Sequence, residues 1–179
     1  MLGETVLSAT IAIQSAIDQE DPAPELAYVV LGDVLIVFSM WWLYFARDAA
    51  EVLTGNDAAY AWGFGHYFIF ASGALIGAGL AVRVDFWGHE AHVGAHTSAA
   101  LVTLPVAALL AALWAISIRL HDSSIRTWLP FGVAIVACGG ATFGPAPELV
   151  TGLICVALLV TELRLTGKPV DLGVVGRSD

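Results

Sequence analysis

Long apolar runs alternate with short polar connections along the chain. The connections collect Asp, Glu, Arg, His and Pro residues, whereas the longer runs hold about twenty residues each, enough to cross a hydrocarbon core as helices. This pattern predicts an all-α, polytopic transmembrane helix bundle that forms a single membrane-embedded domain with a polar tail at 166–179. We expect six spans, the first of them short: 2–17, 26–46, 60–82, 97–118, 128–143 and 148–165.

The composition supports this interpretation. The chain has 179 residues, of which 58% are hydrophobic and 13% are charged. A soluble domain is usually about half apolar and about a quarter charged, so much of the apolar surface must face the lipid bilayer. The net charge of −9 argues against a nucleic acid partner.

The basic residues predict the orientation of the six spans. The connections on the side of the N-terminus hold six of them, and the opposite side holds Arg83 alone. Basic residues concentrate in cytoplasmic loops, so we expect a multi-pass protein of the inner (plasma) membrane with both termini in the cytoplasm. The six are Arg47, Arg119, Arg126, Arg164, Lys168 and Arg177.

Asp33 lies inside the second predicted span, and Tyr44 follows eleven residues later on nearly the same helical face. A carboxylate in a membrane helix normally faces the bundle interior or a water-filled cavity. Two interpretations are open: a proton or cation site, or a structural hydrogen bond to another helix.

His66 lies in the third predicted span on the face of Gly73 and Gly77, a GxxxG spacing that permits close helix approach. It is either a core histidine bound to a backbone carbonyl or part of a proton relay. Glu4 is predicted at a similar depth on the cytoplasmic side, so a Glu4–His66 pair is allowed. Asp33 lies nearer the outside, which makes an Asp33–His66 pair less favourable.

Three further histidines, His89, His92 and His96, lie in a predicted outer connection. If that segment were helical, the three imidazoles would share a face and could hold zinc or copper. Gly88 and Gly94 weaken the helix assumption, so a solvated loop is the default. The nucleotide-binding, hydrolase and zinc-protease motifs that we sought are missing from the sequence, so we expect neither an enzyme nor a cofactor.

Three stretches carry a family resemblance: LGETVL at 2–7, WWLYF at 41–45 and GHYFIFASGALIGAGL at 65–80. They are similar to the second half of the bacterial low temperature requirement A (LtrA) proteins. The resemblance covers about the first half of the chain, while the last three spans match in hydropathy alone. It implies a multi-pass bacterial membrane protein, and it implies longer relatives with an additional N-terminal membrane half.

We therefore expect a transporter-like or channel-like protein that moves a proton, a cation or a small solute, with Glu4, Asp33, Tyr44 and His66 as its polar interior. The alternatives are a membrane scaffold or accessory subunit, and a metal sensor that uses the outer histidines. Because a short first span and a GxxxG face both call for a partner helix, we also expect a homo-oligomer or a complex with a separately encoded N-terminal half.

Overall fold

The computed structural model describes residues 25–46, 55–88, 91–118 and 125–166, together with the single positions Leu7, Thr10 and Gln14. Within this part, the chain is all-α and contains five α-helices. A π-helical segment, Trp114–Ile118, continues the third helix directly. The helices are α1 (Glu25–Phe45), α2 (Asn56–Trp87), α3 (Ala95–Leu113), α4 (Ile125–Ala141) and α5 (Pro147–Thr166).

Three helical stretches are long and apolar enough to cross a membrane: Glu25–Phe45, Ala59–Trp87 and Ala95–Ile116. Trp128–Ala141 is a shorter apolar helix. The predicted spans 26–46, 60–82, 97–118, 128–143 and 148–165 each coincide with a helix, within a few residues at either end. The predicted first span, 2–17, and the predicted tail fall almost entirely outside the described residues.

The largest difference from the expected helix bounds concerns the end of α2. Because Arg83 and Asp85 are charged, the sequence predicts a connection from residue 83, yet the helix continues to Trp87. The reason is that Arg83 is buried and finds an acidic partner inside the bundle. A charge that is paired in this way no longer has to leave the apolar layer.

The helices are arranged around the bundle in an order that differs from their order in the chain. Extensive contacts join α2 to α3, α3 to α4, α4 to α5, and α5 to α1, whereas α1 and α2 touch at few positions. Helices consecutive in the chain run antiparallel, so α1 and α5 run in the same direction. Among neighbouring helices of this ring, α1 and α2 have the least extensive contact, and we call the gap between them the seam.

Glycines set the closest helix approaches. Gly32 of α1 packs directly on the backbone of Glu148 and Leu149 at the start of α5, where an added Cβ would collide with main-chain atoms. A Cβ on Gly152 would lie 2.8 Å from the Gly32 carbonyl oxygen. Gly79 of α2 likewise meets the backbone of Leu101 in α3. Because small residues let helix backbones come close, α1 packs tightly on α5 and α2 packs tightly on α3.

Each end of the bundle contains its own group of polar side chains. We call the end that contains Arg83, Ser98 and Glu148 the ion-pair end, and the end that contains Tyr44 and His66 the histidine end. The turn between α4 and α5 lies at the ion-pair end and contains Ala146, whose φ is 44°. Such left-handed backbone is uncommon outside glycine, and here it reverses the chain just before Glu148.

Candidate functional site

A buried ion pair joins α2 to α5 at the ion-pair end. The Arg83 Nε donates to the Glu148 Oε1, and both side chains are almost completely removed from solvent. Arg83 Nη1 also donates to the Ser98 Oγ at 2.9 Å, and that hydroxyl donates to the Ala95 carbonyl at 2.9 Å. This network ties together three helices, and each partner compensates for the removal of the guanidinium from water.

Two aromatic rings complete the environment of Arg83. Its guanidinium carbon lies 5.3 Å from the Phe86 ring centroid and 5.4 Å from that of Trp87. Both distances are within the range of cation–π attraction, in which the negative face of the ring stabilises a cation. The charge at the end of α2 is therefore held by one carboxylate, one hydroxyl and two rings.

Asp33 lies on the core face of α1, one residue after the glycine that packs on Glu148. It interrupts a run of apolar core residues at heptad spacing, and only 3% of its surface is exposed. Its Oδ1 has no hydrogen-bond partner among the described residues. A buried polar atom without a partner is rare in folded proteins and calls for an explanation, which makes Asp33 the principal candidate for a functional group.

Three buried hydroxyl groups lie on the other helices or directly after them. Thr103 of α3 and Thr142, just after α4, share a hydrogen bond at 2.6 Å. Thr151 of α5 is fully buried, and its Oγ1 has no hydrogen-bond partner within the described residues. The ion-pair end thus combines an ion pair, a carboxylate and several hydroxyls in its interior.

At the histidine end, His66 is hydrogen-bonded through both ring nitrogens. Its Nδ1 donates to the Trp62 carbonyl at 2.7 Å, and its Nε2 lies 2.9 Å from the Tyr44 hydroxyl. The Trp62 ring packs against the imidazole with centroids 4.0 Å apart, and Tyr44 meets it edge-on at 5.8 Å. The Tyr44–His66 hydrogen bond crosses the seam between α1 and α2.

A cavity of about 230 Å³ lies in the seam, between α1, α2 and α3. Phe70, which is half-exposed, forms part of its wall, so the cavity reaches the outer surface of the bundle. Tyr44 closes the cavity towards the histidine end. Among the described residues that line the cavity, Tyr44 has the one polar side chain. The lining residues are Ile36, Val37, Met40, Tyr44, Ile69, Phe70, Gly73, Ile76, Leu109 and Leu113.

Comparison with known proteins identifies the family. Residues 1–163 match the bacterial low temperature requirement A protein (LtrA) family. The chain belongs to the LtrA family. The match extends well beyond the first half of the chain, to which the sequence resemblance had been assigned. A search of curated proteins and a search of solved structures each found no match.

The structure brings together some of the predicted site residues of this LtrA chain and separates others. Tyr44 and His66 are in contact, whereas Asp33 lies towards the opposite end of the bundle, about 16 Å from Tyr44 along α1 at 1.5 Å per residue. Gly73 lines the cavity and Gly77 is buried. Glu4 lies outside the described residues, so a Glu4–His66 pair stays a prediction.

Two of the three histidines that the sequence places in an outer connection, His92 and His96, lie at the ion-pair end. His92 is exposed in the connection before α3, and His96 is exposed in the first turn of that helix, where its ring lies 5.5 Å from the Phe143 ring. His89 lies outside the described residues. Within the residues that the structure describes, no group of three or more His, Cys, Asp or Glu side chains is arranged to hold a metal ion.

Sequence reasoning missed the buried ion pair of the candidate site, Arg83 and Glu148. The hydropathy pattern places Arg83 in a loop because it follows a long apolar run, and it identifies Glu148 only as the first residue of a helix. Their positions did contain a signal: the apolar run 60–82 is predicted to end on the same side on which the run 148–165 begins, and opposite charges stand at those two places. Charge sign and depth allow such a pair, but the helix order that brings α2 and α5 together cannot be derived from hydropathy.

Proposed function

We propose that this LtrA protein is a membrane transport protein that moves a proton, a cation or a small solute through the bundle. The observation that carries the proposal is Asp33, a buried carboxylate on the core face of a membrane-length helix whose Oδ1 has no partner among the described residues. Ionisable residues in such positions typically belong to ion or proton pathways.

The arrangement of the interior supports a stepwise path. Asp33 lies at one end of the cavity region and the Tyr44–His66 pair at the other, with apolar side chains between them. The Tyr44 hydroxyl and the His66 imidazole share a hydrogen bond, along which a proton can be transferred. In this mechanism, Asp33 is the group that binds the proton or cation at the ion-pair end, and the Tyr44–His66 pair is the second polar group of the path, at the histidine end.

We also propose that the protein is a multi-pass protein of the inner membrane, with six spans and both termini in the cytoplasm. Arg126 and Arg164 are exposed at the histidine end, whereas Arg83 at the other end is buried and neutralised by Glu148. Free positive charge therefore favours the histidine end as the cytoplasmic side. The ion-pair end would then face outwards.

The transport proposal is tested by proton flux into reconstituted vesicles that contain a pH-sensitive dye, under an imposed pH gradient and membrane potential. The substitutions are Asp33→Asn and His66→Gln, which preserve approximate shape while removing the titratable group. We expect either substitution to reduce the protein-dependent flux at least about a hundredfold, the lower end of what a positioned general acid or base contributes.

Matched controls separate a lost pathway from general damage. Asp85→Asn and His92→Gln change the same residue types at exposed positions of the described chain and should retain full flux. Flux that persists in Asp33→Asn, or loss of flux in the exposed controls as well, would argue against an Asp33 pathway. Helical circular dichroism of each variant in the same vesicles shows whether the fold survives.

A scaffold or accessory role is the second candidate, and one observation favours it. His66 already has both ring nitrogens hydrogen-bonded, as in a histidine that only fixes two helices in place. In that case Asp33→Asn and His66→Gln would lower the stability of the protein, and the unsubstituted protein would show no flux above protein-free vesicles.

A further inference from the structure

The direction of the hydrogen bonds at His66 determines what Tyr44 offers to the cavity. The Trp62 carbonyl can only accept, so the Nδ1 at 2.7 Å from it carries the hydrogen. In the neutral ring, Nε2 then has a free lone pair and accepts from the Tyr44 hydroxyl at 2.9 Å. The Tyr44 hydrogen is therefore already used, and its oxygen retains acceptor capacity alone.

The cavity wall around Tyr44 is otherwise hydrophobic. The lining consists of aliphatic side chains, Phe70 and Gly73, so a bound molecule would be desolvated over most of its surface. At about 230 Å³ the cavity is larger than the roughly 150 Å³ that accommodates benzene in an engineered protein interior. Two fused rings, or an aliphatic body of similar size, fit this volume.

The position of the cavity also indicates how a ligand enters. It lies in the loosest seam of the ring, between α1 and α2, and the half-exposed Phe70 stands at its edge. Both helices are long and apolar enough to span a membrane. A molecule dissolved among lipid chains could therefore reach the cavity sideways without crossing the polar ends of the bundle.

We propose that this cavity is a binding site for small, largely apolar molecules that carry one hydroxyl or N–H donor, with the Tyr44 oxygen as the acceptor. His66 acts as a positioning residue, because it holds the Tyr44 hydrogen and so leaves the oxygen to the ligand. The site uses the same cavity and the same Tyr44–His66 pair as the proposed transport path, but it goes beyond transport, because it requires a filled cavity and one hydrogen bond and no flux. A ligand without a donor would leave the Tyr44 oxygen unpaired.

The test compares 2-naphthol with 2-methylnaphthalene, which have nearly the same shape but differ in the donor. Equilibrium dialysis measures the binding of each to the protein in phosphatidylcholine–phosphatidylglycerol nanodiscs, and protein-free nanodiscs of the same lipids give the partition blank. We expect 2-naphthol to bind about tenfold more tightly, the factor that one buried hydrogen bond supplies. Equal affinities after blank correction would overturn the proposal without any variant being needed.

Two substitutions locate the site. Tyr44→Phe removes the acceptor and should abolish the preference for 2-naphthol, whereas Tyr28→Phe, at an exposed position of the same helix, should preserve it. A preference that persists in a folded Tyr44→Phe protein would overturn the assignment of the acceptor. Gly73→Leu fills the cavity and should exclude both molecules; retention of both by this variant would show that they bind elsewhere.

Discussion

Arg83 and Glu148 show how a charge can be placed within an apolar bundle. Each would be strongly unfavourable alone, because an ion removed from water loses several kcal/mol of solvation. Together with Ser98 and the two neighbouring rings, they form a compensated group that joins α2 to α5. The stability of the group is therefore collective, and removal of one member should cost more than removal of both charges.

We predict this non-additivity from single and double substitutions. Arg83→Met or Glu148→Leu alone should lower the free energy of unfolding by about 3–5 kcal/mol, because each leaves an unpaired buried charge. The double substitution should cost less than either single one. Unfolding by SDS titration in mixed micelles measures these values, with Arg164→Met at an exposed site as the control. Costs that simply add would contradict a compensated pair.

Glycine positions define the contacts between whole helices. At Gly32 and Gly79 the neighbouring helix presents its backbone, which cannot move aside as a flexible side chain can. At Gly139 and Gly140 in α4 nothing lies within 4 Å of an added Cβ. The same substitution therefore has opposite consequences in different helices of this chain.

We expect Gly32→Ala and Gly79→Ala to destabilise the protein by about 1–3 kcal/mol or more, as overpacking does in a tight interior. Gly139→Ala and Gly140→Ala should instead be neutral or stabilise the protein by up to about 1 kcal/mol. The reason is that alanine has less backbone freedom than glycine in the unfolded chain, so less conformational entropy is lost on folding. Thermal unfolding of the purified variants, followed by circular dichroism, gives the sign. Equal effects at all four positions would show that these helix contacts are not close.

Helix positions were predictable to a much greater extent than helix partners. The apolar runs give the five described helices within a few residues because hydropathy reports depth in the membrane. The spacing of Gly73 and Gly77 predicted a helix contact on their face, but spacing does not identify the neighbour. In the structure Gly73 faces the cavity, and the backbone-to-backbone approach occurs at Gly79 and at Gly32 with Gly152. The apolar sequence on either side of Asp33 and His66 predicts that both lie in the interior. The Arg83–Glu148 pair is not predictable in this way, because it depends on which helices are neighbours.

At the scale of the whole molecule, the described helices form a ring that is loose between α1 and α2. The Tyr44–His66 hydrogen bond spans this seam at the histidine end, and Arg83 reaches across to Glu148 at the opposite end. The cavity occupies the seam between them. Consecutive described helices run in opposite directions between the two ends of the bundle.

The proposed orientation is tested by reporter fusions. Reporters placed after Arg47, His121 and Asp179 should report the cytoplasm, because the free positive charges lie at that end. Reporters at Glu20 and Glu90 should report the exterior. A phosphatase reporter and a fluorescent reporter give opposite signals and serve as mutual controls. A cytoplasmic signal from Glu90 would require a different number of spans.

During synthesis of the chain, α1 is made well before α5, the helix with which it has its most extensive contact. Gly32 leaves the ribosome about 120 residues before Gly152, the residue on which its backbone rests. At about 5–20 residues per second, this delay is about 6–24 s. Throughout this interval the Gly32 face of nascent α1 lacks the helix on which it packs in the folded protein. The first described helix to be translated is therefore fixed in place only after the last one has been inserted.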